Sequence, residues 1–276
     1  MIFSNYSLDK LIQNRKSKRI FIGTDTITLQ KVVIKIYDDK NKSKESILRD
    51  IHIPSILNHP NIIKIKDYVE DLDSNKMYVI YPYIDNTISL RNLPVDKFDV
   101  TDLFKLYYII DILIQVVDAI SYMHDNNIVH RDIKPDNILL NDKVHLIDFD
   151  LSDQLDNPKF PVRKGTIGTP NFMAPEIWWK INQVDYKKTD IYSLGITMYY
   201  LLNKRKLPYK AKKYSELEYQ IANHKPKISN SGYPELDKLI MKIIDKDPQN
   251  RPTISEIKQK LNHFKTIVDT RVNFNE

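Results

Sequence analysis

The sequence predicts an α+β protein with a strand-rich N-terminal part and a mainly helical C-terminal part. Residues 1–85 contain several short apolar, strand-like runs and one helix-like stretch. Residues 86–276 contain long segments with the apolar periodicity of helices. Within the helical part, a short hairpin at 138–147 is flanked by acidic and basic residues. These observations indicate two structural units, with the chemistry concentrated beside the hairpin.

The composition excludes several classes of protein. The chain has 276 residues, of which 42% are hydrophobic, so it is long enough for two lobes with buried cores. It has no cysteine, which excludes disulfides and thiolate metal sites. No signal-peptide run opens the chain, and no apolar segment reaches the length of about 18 residues that a membrane span needs. We therefore expect an intracellular protein, in the cytoplasm or the nucleus, with no membrane partner. If the chain is viral, these compartments are those of the host cell.

The charge distribution argues against a nucleic-acid-binding protein. The net charge is +6, because 42 basic residues face 36 acidic ones. Basic stretches at 15–19, 40–44, 204–206 and 210–213 are explained more simply as solvated faces than as a binding surface. Nucleic acid is therefore not an expected partner.

The first 85 residues are expected to form strands around a single helix. Strands are predicted at 19–23, 28–37, 62–69 and 77–83, and a helix is predicted at 42–57. His59-Pro60-Asn61 ends the helix. In the second part, a long helix is predicted from Thr101, its N-cap, to His124, and Asn126-Asn127 ends it.

The most informative stretch is His130-Arg131-Asp132-Ile133-Lys134-Pro135-Asp136-Asn137. Strands predicted at 138–140 and 144–147 flank a turn at 141–143. This hairpin is expected to hold Asp132, Asn137 and Asp148 near one point. Mg²⁺ prefers carboxylate and amide oxygens together with substrate phosphates, so these side chains predict a magnesium site.

The stretch closely resembles the catalytic loop H-R-D-x-K-P-x-N of eukaryotic protein kinases, and Asp148-Phe149 resembles the start of their D-F-G motif. Residues 168–176 resemble the G-T-x-x-Y-x-A-P-E end of the activation segment. The resemblance extends from Leu11 to Phe264. It implies the two-lobed kinase fold, with a five-stranded antiparallel sheet plus one helix at 1–84, a mainly helical lobe at 85–276, and a hinge near 82–86.

The resemblance also implies the reaction and its main residues. Asp132 would be the catalytic base, and Lys134 would neutralise charge on the transferred phosphoryl group. Asn137 and Asp148 would hold Mg²⁺, or Mn²⁺ in its place. The substrates would be ATP and a protein with a serine or threonine acceptor. Lys134 and Thr169 together resemble serine/threonine kinases and argue against tyrosine specificity.

A further set of residues is expected to bind ATP. Lys35 matches the lysine of the V-A-I-K motif, which pairs with the α- and β-phosphates and with a helix glutamate. Tyr81 falls at the gatekeeper position, and the backbones of Pro82 and Ile84 form the hinge that binds adenine. The apolar side chains expected around adenine are Ile12, Ile20, Val33 and Leu139.

The helix that follows Lys35 departs from the family pattern. Its glutamate position falls on Asp50, whose side chain is one methylene shorter. Glu45 is the alternative partner of Lys35, and it faces about 140° away from Asp50 on the helix. Pro54 lies inside this helix and is expected to kink or end it.

The phosphate-binding loop departs furthest from the family pattern. The G-x-G-x-x-G motif is expected at 13–18, where the sequence has no glycine. Arg15, Lys16 and Lys18 either contact phosphates through their side chains or lie in solvent. Asp150 replaces the glycine of D-F-G, which is expected to stiffen the segment. Its carboxylate either assists a cation or repels phosphate.

The resemblance implies several supporting contacts. Asp190 should brace the backbone of the catalytic loop, and Glu176 should form an ion pair with Arg251. Thr169 should hydrogen-bond near Asp132. Arg131 would bind a phosphate on the activation segment.

The position that is usually phosphorylated in the activation segment of the family carries a different residue here. The usual phosphosite falls on Gly165, and Thr166 is displaced from it by one residue. Control by phosphorylation of Thr166 is therefore a hypothesis with limited support.

Two functions fit these features. A pseudokinase, acting as a binding or allosteric module, is favoured by the missing glycines and by Asp50, Pro54 and Asp150. An active serine/threonine kinase is favoured by the complete set of phosphoryl-transfer residues, which are Lys35, Asp132, Lys134, Asn137 and Asp148. A protein released from selection for catalysis could have lost any of them, so the complete set favours the enzyme.

Overall fold

The computed structural model describes residues 2–15, 18–38, 44–71 and 75–273. The chain divides into two compact units, Met1–Thr87 and Ile88–Glu276. The lobe boundary that the sequence predicts, between residues 84 and 85, stays a prediction.

The N-terminal unit is an antiparallel sheet with one helix. Its strands are β1 (Ile2–Phe3), β2 (Tyr6–Asn14), β3 (Lys18–Asp25), β4 (Lys31–Asp38), β5 (Asp67–Asp71) and β6 (Lys76–Pro82). The spatial order is β1-β2-β3-β4-β6-β5, and helix α1 (Lys44–Ile56) follows β4 in the chain. The predicted five-stranded antiparallel sheet is confirmed in β2 to β6, and the short strand β1 adds a sixth strand at its edge that was not predicted.

The two faces of this sheet differ, because successive side chains of a strand point to opposite sides. One face holds a hydrophobic cluster that includes Val32, Ile34 and Ile80, all of them fully buried. Gly23 allows β2 and β3 to approach closely beside this cluster. A Cβ atom at Gly23 would lie 2.1 Å from the carbonyl oxygen of Ser7.

Two predicted strands begin later than expected. Strand β4 begins at Lys31, and the Asp25 carboxylate accepts hydrogen bonds from the backbone N–H groups of Ile27 (2.9 Å) and Thr28 (3.1 Å), which turns the chain. Residues 62–66 are not part of β5. Their apolar character reflects the burial of Ile62 and Ile63 in an irregular segment.

Helix α1 continues past Pro54 and ends at Ile56. The helix therefore ends two residues after Pro54, and the predicted kink at Pro54 stays a prediction. The proline removes only one backbone hydrogen bond, and it lies close to the C-terminal end, where few later bonds depend on it. Residues 42 and 43, which the sequence assigns to this helix, lie outside the described residues.

The C-terminal unit is mainly helical, as predicted. Its helices are α2 (Leu103–Asp125), α3 (Pro175–Trp178), α4 (Tyr186–Leu202), α5 (Tyr214–Asn223), α6 (Pro234–Ile243) and α7 (Ile254–Asn273). Its short strands are β7 (Ile88–Ser89), β8 (Ile128–Val129), β9 (Ile138–Leu140), β10 (Val144–Leu146) and β11 (Asp153–Gln154). No helix in the described ranges has the length and apolar character needed to cross a membrane.

Helices α2 and α4 form the centre of this unit. From Thr189 to Leu202, α4 is buried at every position, as expected for a helix enclosed by its neighbours. Helix α2 packs against α7. Its N-cap is Asp102, whose side chain accepts from the backbone N–H of Phe104 (2.9 Å), so the prediction of Thr101 is wrong. Aspartate is the stronger acceptor for the first turn. The helix ends at Asp125, and Asn126, which was predicted to end it, is its C-cap.

Candidate active site

The predicted hairpin is present and places the catalytic loop. Strands β9 and β10 pair antiparallel, with Ile138 opposite Leu146. A short turn of 3-10 helix, Pro135–Asn137, leads directly into β9. The backbone N–H of Ile147 donates to the carbonyl of Asn137 at 3.0 Å. This bond brings the backbone of Asp148, the next residue, close to Asn137.

Asp132 is buried and accepts four hydrogen bonds. Its Oδ2 accepts from Lys134 Nζ at 2.6 Å and from Asn137 Nδ2 at 3.0 Å. Its Oδ1 accepts from the backbone N–H and the hydroxyl of Thr169, at 3.0 and 2.6 Å. Lys134 Nζ also donates to the Thr169 hydroxyl at 2.6 Å. These contacts fix the orientation of the carboxylate and confirm the expected contact between Thr169 and Asp132.

Asn137 and Asp148 are suited to hold a magnesium ion. Asn137 Nδ2 donates to the carbonyl oxygen (2.8 Å) and to Oδ2 (3.0 Å) of Asp132. Both bonds use the amide nitrogen, which directs the amide oxygen to the opposite side. Asp148 is partly exposed and has a φ of 67°. A carboxylate and an amide oxygen, completed by phosphate oxygens and water, fit the coordination that Mg²⁺ prefers. No cluster of three or more His, Asp or Glu side chains suited to a metal occurs in the described residues.

Asp190, on α4, braces the catalytic loop as predicted. Its Oδ2 accepts from the backbone N–H of His130 and its Oδ1 from that of Arg131, both at 2.8 Å. His124 Nε2 lies 3.0 Å from Oδ2, a contact that was not predicted. Arg131 has a φ of 65°, which is strained for a residue with a Cβ atom. The two hydrogen bonds that Asp190 accepts from the backbone of His130 and Arg131 hold the loop in this conformation.

Gly168 brings the end of the activation segment to the catalytic loop. It has a φ of +128°, and a Cβ atom there would lie 2.9 Å from the carbonyl oxygen of Arg131. Only glycine fits both the backbone conformation and the close approach. This contact places the next residue, Thr169, against Asp132.

The end of the activation segment is held by a buried ion pair. Glu176 Oε1 and Oε2 accept from Arg251 Nη1 and Nη2 at 2.7 and 2.8 Å, which confirms the predicted pairing. Both side chains are almost fully buried. Bidentate pairs of this kind fix orientation as well as adding energy.

The D-F-D segment begins with a buried aromatic ring. Phe149 is 1% exposed, and its ring centroid lies 5.2 Å from that of His130. The carbonyl oxygen of Asp150 accepts from Arg163 Nη1 at 2.8 Å. The Asp150 side chain is partly exposed. Both functions considered for its carboxylate, assisting a cation or repelling phosphate, stay predictions.

In the N-terminal unit, four of the predicted ATP-binding side chains share one face of the sheet. Ile20 pairs with Lys35, and Val33 pairs with Tyr81. Paired residues, and residues two apart on a strand, point to the same side, so Ile20, Val33, Lys35 and Tyr81 lie together, opposite the hydrophobic cluster. Lys35 is 7% exposed, and its Nζ lies 5.5 Å from the centroid of the Tyr81 ring.

Lys18 lies on this same face, because it pairs with Tyr37, two residues after Lys35. It is buried, at 8% exposed, whereas Arg15 is exposed. Exposure of Arg15 fits the alternative in which it lies in solvent, and contact of Lys18 with phosphate stays a prediction. Lys16 lies outside the described residues.

The two alternative partners of Lys35 on α1 differ in burial. Asp50 is 3% exposed. The Glu45 side chain is 68% exposed and lies 4.0 Å from Arg49, one turn along the helix. A buried carboxylate is the better counter-ion for a buried lysine. The burial therefore favours Asp50, and the ion pair with Lys35 stays a prediction.

The remaining predicted ATP-binding residues do not all lie on the face of the sheet that carries Lys35. Ile12 lies at an irregularity in the pairing of β2 with β3 and is 50% exposed. Pro82 pairs with Val32, so its side chain belongs to the face with the hydrophobic cluster, and only its backbone carbonyl suits the predicted function. The Ile84 carbonyl accepts from the Thr87 hydroxyl at 3.1 Å. Leu139 is in the C-terminal unit, on β9, and is partly exposed.

Sequence reasoning missed a buried ionic cluster that involves Arg131. Asp153 accepts from Arg131 and, at 3.0 Å, from Arg163 Nε. No local pattern reveals this cluster, because the pairing depends on how β11 meets β8. A charge of opposite sign to Arg131 in the activation segment was the only available signal.

Comparison with known proteins assigns the family. Residues 16–262 match the family model described as the protein kinase domain. The chain therefore belongs to the protein kinase family, whose members typically use ATP and Mg²⁺.

The relatives it resembles are named as kinases. The chain is 32% identical over 259 residues to calcium-dependent protein kinase 6 of Plasmodium berghei (strain Anka), covering 91% of this chain and 17% of that protein. It is 32% identical over 248 residues to the serine/threonine-protein kinase polo of Drosophila melanogaster, covering 86% and 40%. It is 28% identical over 268 residues to CBL-interacting serine/threonine-protein kinase 10 of Arabidopsis thaliana, covering 94% and 53%. The chain thus spans between 17% and 53% of these relatives.

Proposed function

We propose that this chain is an active serine/threonine protein kinase, which transfers the γ-phosphoryl group of ATP to a protein hydroxyl with Asp132 as catalytic base. The observation that carries the proposal is the set of contacts at the Asp132 carboxylate. Lys134, Asn137 and Thr169 all donate to it at 3.0 Å or less. These contacts support a phosphoryl-transfer site in the C-terminal unit.

In the proposed reaction, the acceptor hydroxyl gives its proton to Asp132 as its oxygen attacks the γ-phosphorus and the bond to the ADP oxygen breaks. Asp132 is fixed in one orientation, so little conformational entropy is lost when its carboxylate meets the hydroxyl. Lys134, 2.6 Å from that carboxylate, places a positive charge where negative charge develops on the phosphoryl oxygens. Positioning and charge stabilisation supply most of the rate enhancement in such sites.

Asn137 and Asp148 would hold Mg²⁺ in this proposal, with Mn²⁺ as a substitute. The bound cation would neutralise charge on the ATP phosphates. The hydrogen bonds from Asn137 Nδ2 to Asp132 link the two functions, because the residue that holds the cation also orients the base.

Lys35 and Lys18 would hold the phosphates of ATP from the N-terminal unit. Both are buried on the same face of the sheet. Two positive charges on one face suit an anionic ligand such as the triphosphate of ATP. A second lysine would partly replace the backbone N–H groups of the missing glycine-rich loop. Ile20 and Val33, on the same face, would contact adenine.

Specificity for serine or threonine acceptors is supported by Thr169. Its hydroxyl bridges Asp132 and Lys134, at 2.6 Å from each. This is the contact that the resemblance to serine/threonine kinases implies for Thr169. We further propose that the chain acts on protein substrates in the cytoplasm or nucleus.

The second candidate is a pseudokinase that binds nucleotide or protein without phosphoryl transfer. The specific observation in its favour is the turn between β2 and β3, which contains no glycine. Loss of the backbone cradle would weaken ATP binding but would leave Asp132 and its partners intact.

A transfer assay separates the two candidates. The purified chain is incubated with γ-labelled ATP, Mg²⁺ and a generic basic protein, with Asp132→Asn and Lys35→Met as controls. We expect label on serine and threonine of the acceptor with the wild type and none with either variant. Thermal stabilisation by ATP–Mg²⁺ without transfer would support the pseudokinase. No transfer and no stabilisation would reject the kinase proposal.

A further inference from the structure

Arg131 already has an internal anionic partner. It is buried, at 6% exposed, and its Nη1 donates to the Asp153 carboxylate and, at 2.8 Å, to the carbonyl oxygen of Arg163. Its guanidinium carbon lies 4.7 Å from the centroid of the Tyr186 ring. An arginine placed before a catalytic aspartate can order an activation segment by binding a phosphate. Here a carboxylate occupies that place.

Asp153 joins two arginines across the segment. It is fully buried, and besides Arg131 it accepts from Arg163 Nε at 3.0 Å and from the backbone N–H of Arg163 at 3.1 Å. Arg163 also donates to the carbonyl oxygens of Asp150 (2.8 Å) and Ser152 (2.6 Å). The cluster therefore ties the catalytic loop, the D-F-D segment and residue 163 together. Charge-assisted bonds of this kind are strong when they are shielded from water.

The backbone holds Asp153 in place independently of the arginines. Asp153 pairs with Val129 where β11 meets β8. The backbone N–H of Leu155 donates to the carbonyl of Asn127 at 2.8 Å. The carboxylate is therefore preorganised beside Arg131 by strand pairing.

The activation segment, residues 148–176, offers few hydroxyls for a phosphate. Its only serine and threonine residues are Ser152, Thr166 and Thr169, and it has no tyrosine. Ser152 is fully buried, and its hydroxyl donates to the carbonyl of His130 at 3.2 Å. The Thr169 hydroxyl contacts Asp132. Thr166 alone is exposed.

We propose that Asp153 takes the place of an activation-segment phosphate, so that the catalytic site is assembled without phosphorylation. Asp153 is thus a positioning residue that acts through Arg131. The inference rests on the proposed kinase function for its activity readout. The two positive charges of Arg131 and Arg163 and the negative charge of Asp153 leave the cluster with one net positive charge, and the Tyr186 ring lies against the Arg131 guanidinium.

The first test uses the wild-type chain. Protein that is treated with a phosphatase and shown by intact mass to carry no phosphate should keep its kcat within about twofold of untreated protein. Thr166→Ala should behave in the same way. A loss of about tenfold or more on dephosphorylation, restored when Thr166 is phosphorylated again, would overturn the inference.

The second test removes the carboxylate. Asp153→Asn should lower kcat by about tenfold or more, because it leaves the buried Arg131 and the partly exposed Arg163 without their anion. Asp156→Asn is the matched control, since Asp156 is an exposed acid of the same segment that contacts Asn127. In Asp153→Ala, added formate should restore part of the lost kcat, whereas chloride at equal ionic strength should not. Formate rescue identifies the carboxylate itself as the requirement. Wild-type kcat in Asp153→Asn would overturn the inference.

Hydrogen exchange separates this inference from the proposed function. Without phosphate, residues 160–170 should exchange slowly in the wild type and at least about tenfold faster in Asp153→Asn. If the wild type shows this protection but transfers no phosphate, the proposed function fails and the inference stands. If the wild type transfers phosphate only after phosphorylation of Thr166, the inference fails and the function stands.

Discussion

Replacing Thr169 by valine tests how the catalytic carboxylate is held. The Thr169 hydroxyl lies 2.6 Å from Asp132 Oδ1 and 2.6 Å from Lys134 Nζ. Valine keeps the shape and the backbone hydrogen bond to Asp132 but removes both side-chain bonds. A hydrogen bond to a charged group contributes about 1.5–3 kcal/mol. If one such bond is lost from the transition state, kcat falls about 10- to 100-fold, because about 1.4 kcal/mol corresponds to a factor of ten.

The assay is steady-state ADP release with a peptide acceptor, at varied ATP and varied peptide. The KM for ATP should stay near the wild-type value, because the substitution changes no residue proposed to bind the nucleotide. Thr169→Ser is the matched control, since it keeps the hydroxyl and should keep kcat within about threefold. Thermal unfolding of both variants shows whether they remain folded. A folded Thr169→Val protein with wild-type kcat would refute the proposed function of the bridge.

Three further predictions concern ATP binding, pH dependence and stability. Lys18→Met should raise the KM for ATP by about tenfold or more, because a charge-assisted contact to phosphate is lost. Arg15→Met is the control and should leave this KM unchanged. Titrating ATP with both variants measures the two KM values, and equal values would contradict the prediction. The hydrogen bond from Lys66, followed by that from the backbone of Thr28, holds the pKa of Asp25 below its ordinary value, so this carboxylate stabilises the fold at neutral pH and the contribution is lost as pH falls below about 4. Thermal midpoints measured from pH 7 to pH 3 should therefore fall more steeply in the wild type than in Asp25→Asn, and parallel curves would disprove it. Glu176→Gln should lower the free energy of unfolding by about 3–5 kcal/mol, measured in urea, since it leaves a buried arginine without its counter-ion; a loss below about 1 kcal/mol would show that the pair contributes little.

The parts of the site that were predictable are those coded by local sequence. The hairpin at β9 and β10 follows from two short apolar runs around a polar turn. The structure has the first strand at the predicted residues and the second one residue shorter than predicted. Asp132, Lys134 and Asn137 lie within one loop, so their spacing determines that they meet. The contacts of Asp190 with the catalytic loop were available only through the family resemblance, because the residue is far away in the sequence.

The parts that were not predictable depend on competition or on distant pairing. Asp102 rather than Thr101 caps α2, because two adjacent residues can both cap and the carboxylate is the better acceptor here. The apolar residues near Ile62 are buried without forming a strand, since burial alone does not determine backbone conformation. The contact between Asp153 and Arg131 depends on the meeting of two strands of two residues each, which leave no periodic pattern in the sequence.

The central claim is that the groups around Asp132 transfer phosphate. The most direct measurement is transfer of label from γ-labelled ATP–Mg²⁺ to an acceptor protein, comparing the wild type with Asp132→Asn at equal thermal stability. The wild type should place label on serine and threonine, and Asp132→Asn should lower the rate by about 100-fold or more, since general-base catalysis contributes about 10²–10⁴-fold. Equal rates in the two proteins, or no transfer by a wild type that binds ATP–Mg²⁺, would contradict the claim.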